Sequence, residues 1–220
     1  MVKDILCSWS GGKDSCFALM QAVLLGYTPR VLLNVLNEEG KISRSHGIPY
    51  SILRTQADAA KLPIHCISSS WKDYEMHFTN ALTELKDKFQ VRYAVFGDID
   101  LQEHRDWEEK VCNNSGLTAI LPLWKQNRKA LVMQMLEAGI ESIIVSCNKT
   151  MGESFIGRRI TSGLVNELEN LGIDPCGENG EYHTLVLDCP LFFTSINVKI
   201  TEKLIHDNYW FGKLEPALSS

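Results

Sequence analysis

The sequence predicts an α/β protein with a doubly wound, parallel five-stranded sheet, followed by a smaller α+β domain. Over the first two-thirds of the 220 residues, short β-branched runs alternate with helical patterns, which is typical of parallel sheets with right-handed crossovers. Residues 31–36 form a near-continuous apolar run, as expected of a strand buried on both faces. After Leu123 the alternation ends, so we expect one domain over residues 1–123 and a second over residues 124–220.

Apolar spacing and turn residues predict the elements of the first domain. From Trp71 to Phe89 the apolar residues advance in steps of three and four, which is typical of an amphipathic helix, and Ser70 is expected to cap it. Gly26 ends the first helix and Pro63 follows the second. The predicted strands cover residues 5–9, 31–36, 64–68, 93–96 and 118–121. The predicted helices cover residues 14–25, 49–62, 71–89 and 103–112.

The second domain mixes both kinds of element. Helices are predicted over residues 128–138 and 155–171, around a strand at 142–146. A Gly-rich polar stretch, DPCGENGEYHT, follows them. Short antiparallel strands are predicted at residues 185–187, 195–200 and 209–211.

Composition and charge exclude several classes of protein. A net charge of −5, from 22 Lys and Arg against 27 Asp and Glu, argues against a nucleic-acid partner. No apolar run approaches the ~18 residues of a membrane span, so we expect no membrane insertion. The seven cysteines are odd in number, spread along the chain and without a CxxC pair. They indicate reduced thiols in a cytoplasmic protein, and their spacing is not that of a zinc site.

The most informative motif is SWSGGKDS, residues 8–15, between the first strand and the first helix. Ligands of doubly wound sheets bind beyond the carboxyl ends of the strands, so the loops after residues 9, 36, 68 and 96 are the expected places for chemistry. Two successive glycines and a helix N-terminus bring backbone N–H groups against a phosphate. Such a cradle predicts nucleotide binding, whereas two glycines alone would equally make a capped turn. The predicted nucleotide ligands here are Ser8, Ser10, Gly11, Gly12, Lys13, Asp14 and Ser15.

The motif fits neither GxxxxGK[ST] nor GxGxxG. SGGKDS resembles instead the PP-loop of the ATP pyrophosphatases, which have an adenine nucleotide alpha hydrolase-like fold. The resemblance implies that an acceptor oxygen attacks the α-phosphorus of ATP and pyrophosphate leaves. It also implies Mg²⁺ on the pyrophosphate, with Asp14 and Asp98 as candidate ligands.

Further segments narrow the resemblance. SHG at residues 45–47, FGDI at 96–99, PLW at 122–124 and above all CGENGEYHT at 176–184 resemble the diphthine–ammonia ligase family. The resemblance runs in order from Ser8 to about Phe192. It implies ATP-dependent amidation, by free ammonia, of a carboxylate carried on the diphthine of elongation factor 2. The family also implies a homodimer, and Tyr209-Trp210-Phe211 is the apolar segment that would cover an interface or complete the core.

The GENGEYHT segment, residues 177–184 and hereafter the acidic loop, suggests substrate chemistry by itself. Glu178, Glu181 and His183 place two carboxylates and an imidazole on a bent, glycine-rich loop. Such a loop is suited to a quaternary ammonium group, with Tyr182 as a cation–π face, and Glu or His would take a proton from ammonium. The predicted catalytic residues are Lys13, Asp14, Glu178, Glu181 and His183. The predicted substrate ligands are Asp98, Glu178, Asn179, Gly180, Glu181, Tyr182, His183 and Thr184.

Further candidate site residues lie outside the two loops described so far. Leu36, His46 and Gly97 are further predicted nucleotide ligands. His46 lies in the loop after the second strand, where a lone histidine has the alternative of being incidental, and the family resemblance is what singles it out. Asp98 has the alternative of capping the next helix. Arg105 and Glu108 have the spacing of a surface ion pair. Arg158 and Arg159 would reach the triphosphate or cover a solvated helix face.

Three functions remain open on the sequence. The leading hypothesis is an ATP-dependent carboxylate–ammonia ligase. A tRNA-modifying pyrophosphatase would be expected to carry paired cysteines and a basic face. A sensor that holds ATP without turnover is the third.

Overall fold

The computed structural model describes residues 3–217. Five parallel strands form the first sheet, in the order β3-β2-β1-β4-β5. Their bounds are β1 Asp4–Ser8, β2 Thr28–Leu36, β3 Ile64–Ser68, β4 Tyr93–Val95 and β5 Thr118–Ile120. The doubly wound parallel sheet predicted from the sequence is thus confirmed. The helices that connect these strands are α1 Lys13–Leu24, α2 Tyr50–Ala59, α3 Tyr74–Phe89 and α4 Gln102–Ser115.

Alternating side chains divide the sheet between two apolar clusters. Leu6 of β1 packs with residues of α3 and α4, whereas Ile5 lies in the cluster that contains α1, α2 and the second sheet. Every residue from Val31 to Leu36 is buried, as predicted for a strand covered on both faces.

An antiparallel sheet of four strands makes up the smaller part, in the order β7-β6-β9-β8. Its strands are β6 Glu141–Asn148, β7 Tyr182–Asp188, β8 Val198–His206 and β9 Tyr209–Pro216, and its helices are α5 Arg128–Glu137 and α6 Ser162–Asn170. The smaller α+β part is therefore confirmed.

The side chain of Gln56 links the two sheets, because it forms hydrogen bonds both to the loop after β1 and to β7. Its side chain is fully buried. Its Nε2 donates to the carbonyls of Gly11 at 3.0 Å and Val186 at 2.8 Å, and its Oε1 accepts from Trp9 Nε1 at 3.0 Å. The N–H of Val186 also donates to the Gly11 carbonyl, at 2.9 Å. A strand of the second sheet therefore helps to shape the first loop.

Some element boundaries differ from the predictions. A short 3-10 helix covers Glu153–Phe155. Residues 156–161 are not helical: Gly157 has a φ of +89° and Arg159 forms an isolated bridge to Ile143. Helix α3 begins at Tyr74 rather than Trp71, because Ser70 Oγ accepts from the N–H of Asp73 and holds the preceding turn. All seven cysteines are free thiols. Among residues 3–217, none of the helices has the length and apolar character needed to span a membrane.

Candidate functional site

Three glycines permit the close packing of the SGGKDS loop. Gly11 has a φ of +86°, and a Cβ on it would lie 2.9 Å from Gln56 Oε1. A Cβ on Gly12 would lie 2.6 Å from His46 Cε1. Gly97 is packed against the first turn of α1, where a Cβ would lie 2.7 Å from the Ser15 nitrogen. The loop therefore has backbone surface where other residues would place side chains.

The serines of the loop hold its shape. Ser10 Oγ lies 3.0 Å from Ser15 Oγ and accepts from the N–H of Gly12 at 3.2 Å. Ser15 Oγ donates to the Gly12 carbonyl at 3.1 Å. Both hydroxyls also line the main cavity, so they remain placed to reach a ligand above the N-terminus of α1.

Lys13 is a buried charge with several partners. Its Nζ donates to Asp14 Oδ2 at 2.8 Å and to the Cys176 carbonyl at 2.5 Å, and it lies 5.2 Å from the centroid of the Tyr182 ring. Burial acts to lower the pKa of Lys13, but Asp14, Tyr182 and Cys176 outweigh it and raise the pKa. Lys13 therefore connects the first loop to the acidic loop as a full positive charge.

His183 and Thr184, predicted on the acidic loop, lie at the start of strand β7, and this strand meets the SGGKDS loop directly. The N–H of Lys13 donates to Thr184 Oγ1 at 3.0 Å, and His46 Nδ1 lies 2.9 Å from the Thr184 carbonyl oxygen. The rings of His46 and His183 are 4.6 Å apart. Burial lowers the pKa of both histidines, and for His183 the neighbouring His46 lowers it further. Both imidazoles are therefore neutral near pH 7.

One cavity of about 700 Å³ extends from the SGGKDS loop to the acidic loop and to α3 and α4. Among its described lining residues, five are Asp or Glu and none is Lys or Arg. The predicted site residues that line it are Ser8, Ser10, Asp14, Ser15, His46, Gly97, Asp98, Glu178, Asn179, Gly180, Tyr182, His183 and Thr184. The predicted residues outside its lining are Gly11, Gly12, Lys13, Leu36 and Glu181.

Glu178 is the carboxyl of the acidic loop that faces the cavity. Burial raises its pKa to about 7, although the N–H of Ile99 donates to Glu178 Oε1 at 2.9 Å and opposes this shift. Glu181, by contrast, accepts from Asn179 Nδ2 at 3.2 Å. Near neutral pH, Glu178 can therefore both hold and release a proton.

A second group of carboxyls lies at the end of β4. Asp98 Oδ1 is 2.6 Å from His104 Nδ1. Burial acts to raise the pKa of Asp98, but hydrogen bonds from His104 and Glu108 outweigh it and lower the pKa. Glu108 is only 3% exposed, and burial together with Asp98 raises its pKa to about 11. Glu108 is therefore protonated at neutral pH and can donate to the Asp98 carboxylate.

Aromatic side chains form the adjoining wall of the cavity. The ring of Trp107 lies 5.6 Å from that of Tyr74 and 5.2 Å from that of Phe78. Trp107 Nε1 donates to Glu75 Oε2 at 3.1 Å, which fixes the indole. Burial and the nearby Asp98 raise the pKa of Tyr74 to about 12, so its phenol is neutral.

Sequence reasoning missed this wall and misplaced Glu108. Arg105 pairs with Glu109 at 2.7 Å, not with Glu108. Glu108 lies three and four residues before Val111 and Cys112, on the buried stripe of α4. A carboxyl on an apolar stripe is a signal that could have identified it.

Of the two alternatives for Arg158 and Arg159, contact with a triphosphate has no support in the geometry, whereas both side chains form ion pairs at the surface. Arg158 pairs with Glu167 and Arg159 with Glu141, each at 2.5 Å. Neither arginine lines the main cavity.

Polar contacts hold the acidic loop in place. Arg128 donates to Asp100 at 2.5 Å, to Asp174 at 2.6 Å and to Asn179 at 3.1 Å. Tyr209 OH donates to the Gly180 carbonyl at 2.8 Å. The loop is therefore anchored to helix α5, which also holds Asp100 in the loop after β4, and to strand β9.

A smaller pocket of about 70 Å³ lies beside the SGGKDS loop. It is lined by Ser8, by Asn34 and by residues 43–46 of the loop after β2. Asn34 Nδ2 donates to the Trp9 carbonyl at 2.7 Å, but its Oδ1 is buried without a partner among the described residues. Asn34 therefore holds the end of β1 through its Nδ2 and keeps a buried oxygen, unpaired within residues 3–217, beside this pocket.

The sheet order, the glycine loop at the N-terminus of α1 and the cavity above it define a nucleotide-binding protein of the PP-loop class. The profile of the diphthamide synthase N-terminal domain matches residues 3–119, and that of the diphthamide synthase C-terminal domain matches residues 127–217. The chain belongs to the diphthamide synthase family.

Individual relatives carry the name diphthine–ammonia ligase. The chain is 29% identical to that of Danio rerio over 92% of its own length and 89% of the relative's. It is 27% identical to that of Homo sapiens, covering 90% and 83% of the two chains. It is 28% identical to that of Schizosaccharomyces pombe over 90% of its own length, but spans only 36% of that protein. A solved structure described as a predicted subunit of tRNA methyltransferase from Methanocaldococcus jannaschii superposes with a TM-score of 0.46 at 17% identity, covering 85% of this chain and 98% of the other.

Proposed function

We propose that the chain is an ATP-dependent ligase that adenylates a diphthine carboxylate and then amidates it with ammonia. The observation that carries the proposal is the single cavity shared by the SGGKDS loop and the acidic loop. The hydrogen bonds of Thr184 to Lys13 and His46 hold the two loops together. A nucleotide and a second substrate can therefore meet there.

ATP fits the residues present. Ser10, Asp14 and Ser15 line the main cavity at the N-terminus of α1, where the helix dipole favours phosphate oxygens. The smaller pocket adjoins this place, and Ser8, Ser10 and His46 line both it and the main cavity. His46 lies between these two places.

Mg²⁺ also fits, as an ion carried on the triphosphate. Within residues 3–217 there is no cluster of three or more His, Cys, Asp or Glu side chains suited to a metal. Mg²⁺ typically takes one or two carboxylates together with phosphates and water, and we propose Asp14 and Asp98 for these. Bound there, the ion would neutralise charge on the leaving pyrophosphate.

In the first step, an oxygen of the acceptor carboxylate attacks the α-phosphorus. The bond to the bridging oxygen breaks, and pyrophosphate leaves. Ser10, Ser15 and the N-terminus of α1 hold the phosphates, while Lys13 fixes the loop through Asp14 and the Cys176 carbonyl. Positioning and electrostatic stabilisation supply the acceleration.

In the second step, the nitrogen of ammonia attacks the acyl carbon, and the bond to AMP breaks. Only neutral ammonia is nucleophilic, so a base must take a proton from ammonium or from the adduct. We assign this role to Glu178, because it faces the cavity and its pKa is raised to about 7. His183 is the weaker base, since burial keeps its pKa low.

The proposal extends to the roles of the two domains, the cellular location and the oligomeric state. Residues 1–123 bind ATP, and residues 124–220 select the acceptor, the diphthine of elongation factor 2. A cytoplasmic location and a homodimer are expected with that substrate and family. Trp210 and Phe211 pair with β6 and β8 in the second sheet.

The test is product analysis. The chain is incubated with ATP, Mg²⁺, ammonium and elongation factor 2 that carries diphthine, and nucleotide products and the amide are measured. AMP, pyrophosphate and amide in equal amounts are expected. ADP and phosphate, or AMP without dependence on the acceptor, would refute the proposal.

A further inference from the structure

Asp174 lies in the turn between α6 and the acidic loop, and its side chain is only 7% exposed. Its Oδ1 accepts from the N–H of Cys176 at 3.0 Å, and its Oδ2 accepts from the N–H of Glu178 at 2.9 Å. The carbonyl oxygen of Asp174 accepts from the N–H of Gly177 at 3.0 Å. Asp174 therefore holds the backbone N–H of each residue from 176 to 178.

The Arg128 guanidinium joins this turn to the loop after β4. It donates to Asp174 Oδ2 at 2.6 Å, and to the two carboxylate oxygens of Asp100 at 2.5 and 2.9 Å. Forked, charge-assisted contacts of this kind fix geometry as well as charge. Arg128 therefore holds the two loops in a set arrangement.

The Glu178 carboxyl spans the gap between the same two loops. Its Oε1 accepts at 2.9 Å from the N–H of Ile99, the residue before Asp100. Ile99 is fully buried, and its carbonyl accepts from the N–H of Lys125 at 2.6 Å. One end of Glu178 is thus fixed at its backbone by Asp174, and the other end is fixed at its carboxyl by Ile99.

A base on a loop needs this kind of support. It must lie within hydrogen-bond reach of the proton that it takes, and a misplacement of ~1 Å can cost roughly a hundredfold in rate. A carboxylate at position 174 suits the turn because it has two acceptor oxygens and no donor. An amide there would turn an NH2 group towards an N–H, and an apolar side chain would leave two N–H groups without their acceptors.

We propose that Asp174 is a positioning residue that holds the Glu178 carboxyl at the cavity. The inference rests on the proposed function, in which Glu178 is the base. Glu178 lines the cavity and Asp174 does not, so Asp174 acts through Glu178 rather than on a substrate.

Amide hydrogen exchange of the full chain tests the position of the carboxyl without any substrate. In Asp174→Asn, the Ile99 amide should exchange about tenfold faster than in the wild type or more, because its acceptor is displaced. Glu178→Ala removes that acceptor and gives the upper limit. The Phe96 amide donates to the Ile120 carbonyl, so an unchanged rate there shows that β4 is intact.

Asp188→Asn is the matched control. Asp188 Oδ1 accepts from the N–H of Cys189 at 2.9 Å, and Asp188 does not line the cavity. The replacement removes the same charge but keeps an oxygen for that N–H, so exchange at Ile99 should stay within about twofold of the wild type. Thermal unfolding of each variant separates a displaced loop from a lost fold.

Turnover gives a second measurement. Asp174→Asn should form the amide about tenfold more slowly, with a KM for ATP within about twofold of the wild type. AMP should exceed amide, because water then attacks the acyl carbon that ammonia fails to attack, and AMP and the free carboxylate leave. Asp188→Asn should keep the two products equal.

Two results would overturn the inference. The first is unchanged exchange at Ile99 in a folded Asp174→Asn. The second is a raised KM for ATP with amide and AMP still equal, since the replacement would then act through the Cys176 carbonyl and Lys13. The exchange measurement needs no turnover, so a wild type that forms no amide would refute the proposed function and leave the position of Glu178 testable.

Discussion

Replacing Glu108 by Gln should stabilise the protein at neutral pH. The Glu108 pKa rises from 4.5 in an unperturbed chain to about 11 in the fold, through burial and the neighbouring Asp98. The folded state therefore holds a proton that the unfolded chain releases above its ordinary pKa. As the pH rises from 4.5 towards 11, this group progressively lowers the free energy of unfolding.

The magnitude follows from the width of that pH interval. Each pH unit above the unperturbed pKa contributes ~1.4 kcal/mol, which amounts to ~3 kcal/mol at pH 7. Gln has the same shape, stays neutral and can still donate to Asp98. Glu108→Gln should therefore raise the free energy of unfolding by up to ~3 kcal/mol at pH 7, with a gain that shrinks towards pH 5.

Urea unfolding, followed by tryptophan fluorescence at about pH 5, 7 and 9, measures this gain. Glu109→Gln is the control: Glu109 is the next residue, exposed and paired with Arg105, so its replacement should change stability by less than about 1 kcal/mol. If Glu108→Gln lowers stability, or shifts it equally at every pH, then Glu108 is ionised in the folded protein.

Three further predictions concern the candidate site. Gly97→Ala should lower the free energy of unfolding by about 1–3 kcal/mol and weaken ATP binding, because the new Cβ meets backbone of α1 at 2.7 Å; denaturation and nucleotide titration measure both. Glu178→Gln should remove the rise in amidation rate with pH that is expected near pH 7 in the wild type, measured at constant free ammonia. Arg128→Ala should loosen the acidic loop, with amide exchange at residues 176–180 faster by roughly tenfold.

Control variants and refuting outcomes can be stated for these three predictions. Gly163 lies in a helix, where a Cβ would meet only Thr161 Oγ1, at an ordinary 3.8 Å, so Gly163→Ala should stabilise by up to ~1 kcal/mol. Equal losses at both glycines would refute the close-contact argument. An unchanged pH profile in Glu178→Gln would assign the base to another group. For Arg128, the control is Arg128→Lys, which keeps the charge but loses the forked contacts. If the amides of residues 176–180 stay fully protected from exchange in Arg128→Ala, then Tyr209 alone anchors the loop.

The sheet was predictable because its signals are local. Residues 31–36 are apolar in sequence and buried in the fold, and the glycine loop stands directly before α1. The helix predicted over residues 155–171 was wrong at its start, since Phe155, Ile156 and Ile160 have helical spacing but pack from an irregular segment around Gly157.

The hairpin of β8 and β9 and the aromatic wall were harder to predict. Strand β8 is largely exposed over residues 201–206, so it lacks the alternation that marks a half-buried strand. The wall combines α3 with α4, and its carboxyl, Glu108, acquires its unusual environment only when the two helices pack. Long-range proximity of this kind leaves no pattern in a single sequence, apart from the carboxyl on an apolar stripe.

The hydrogen bonds of Gln56 and Val186 to the Gly11 carbonyl affect how the site can be assembled. A fragment that ended at residue 123 would leave this carbonyl without its contact from β7 and Lys13 without Thr184. The SGGKDS loop would then lack its contacts with strand β7, although its own sequence was intact. We therefore expect that truncation at residue 123 and mutations in β7 would weaken nucleotide binding, even though they leave the SGGKDS sequence unchanged.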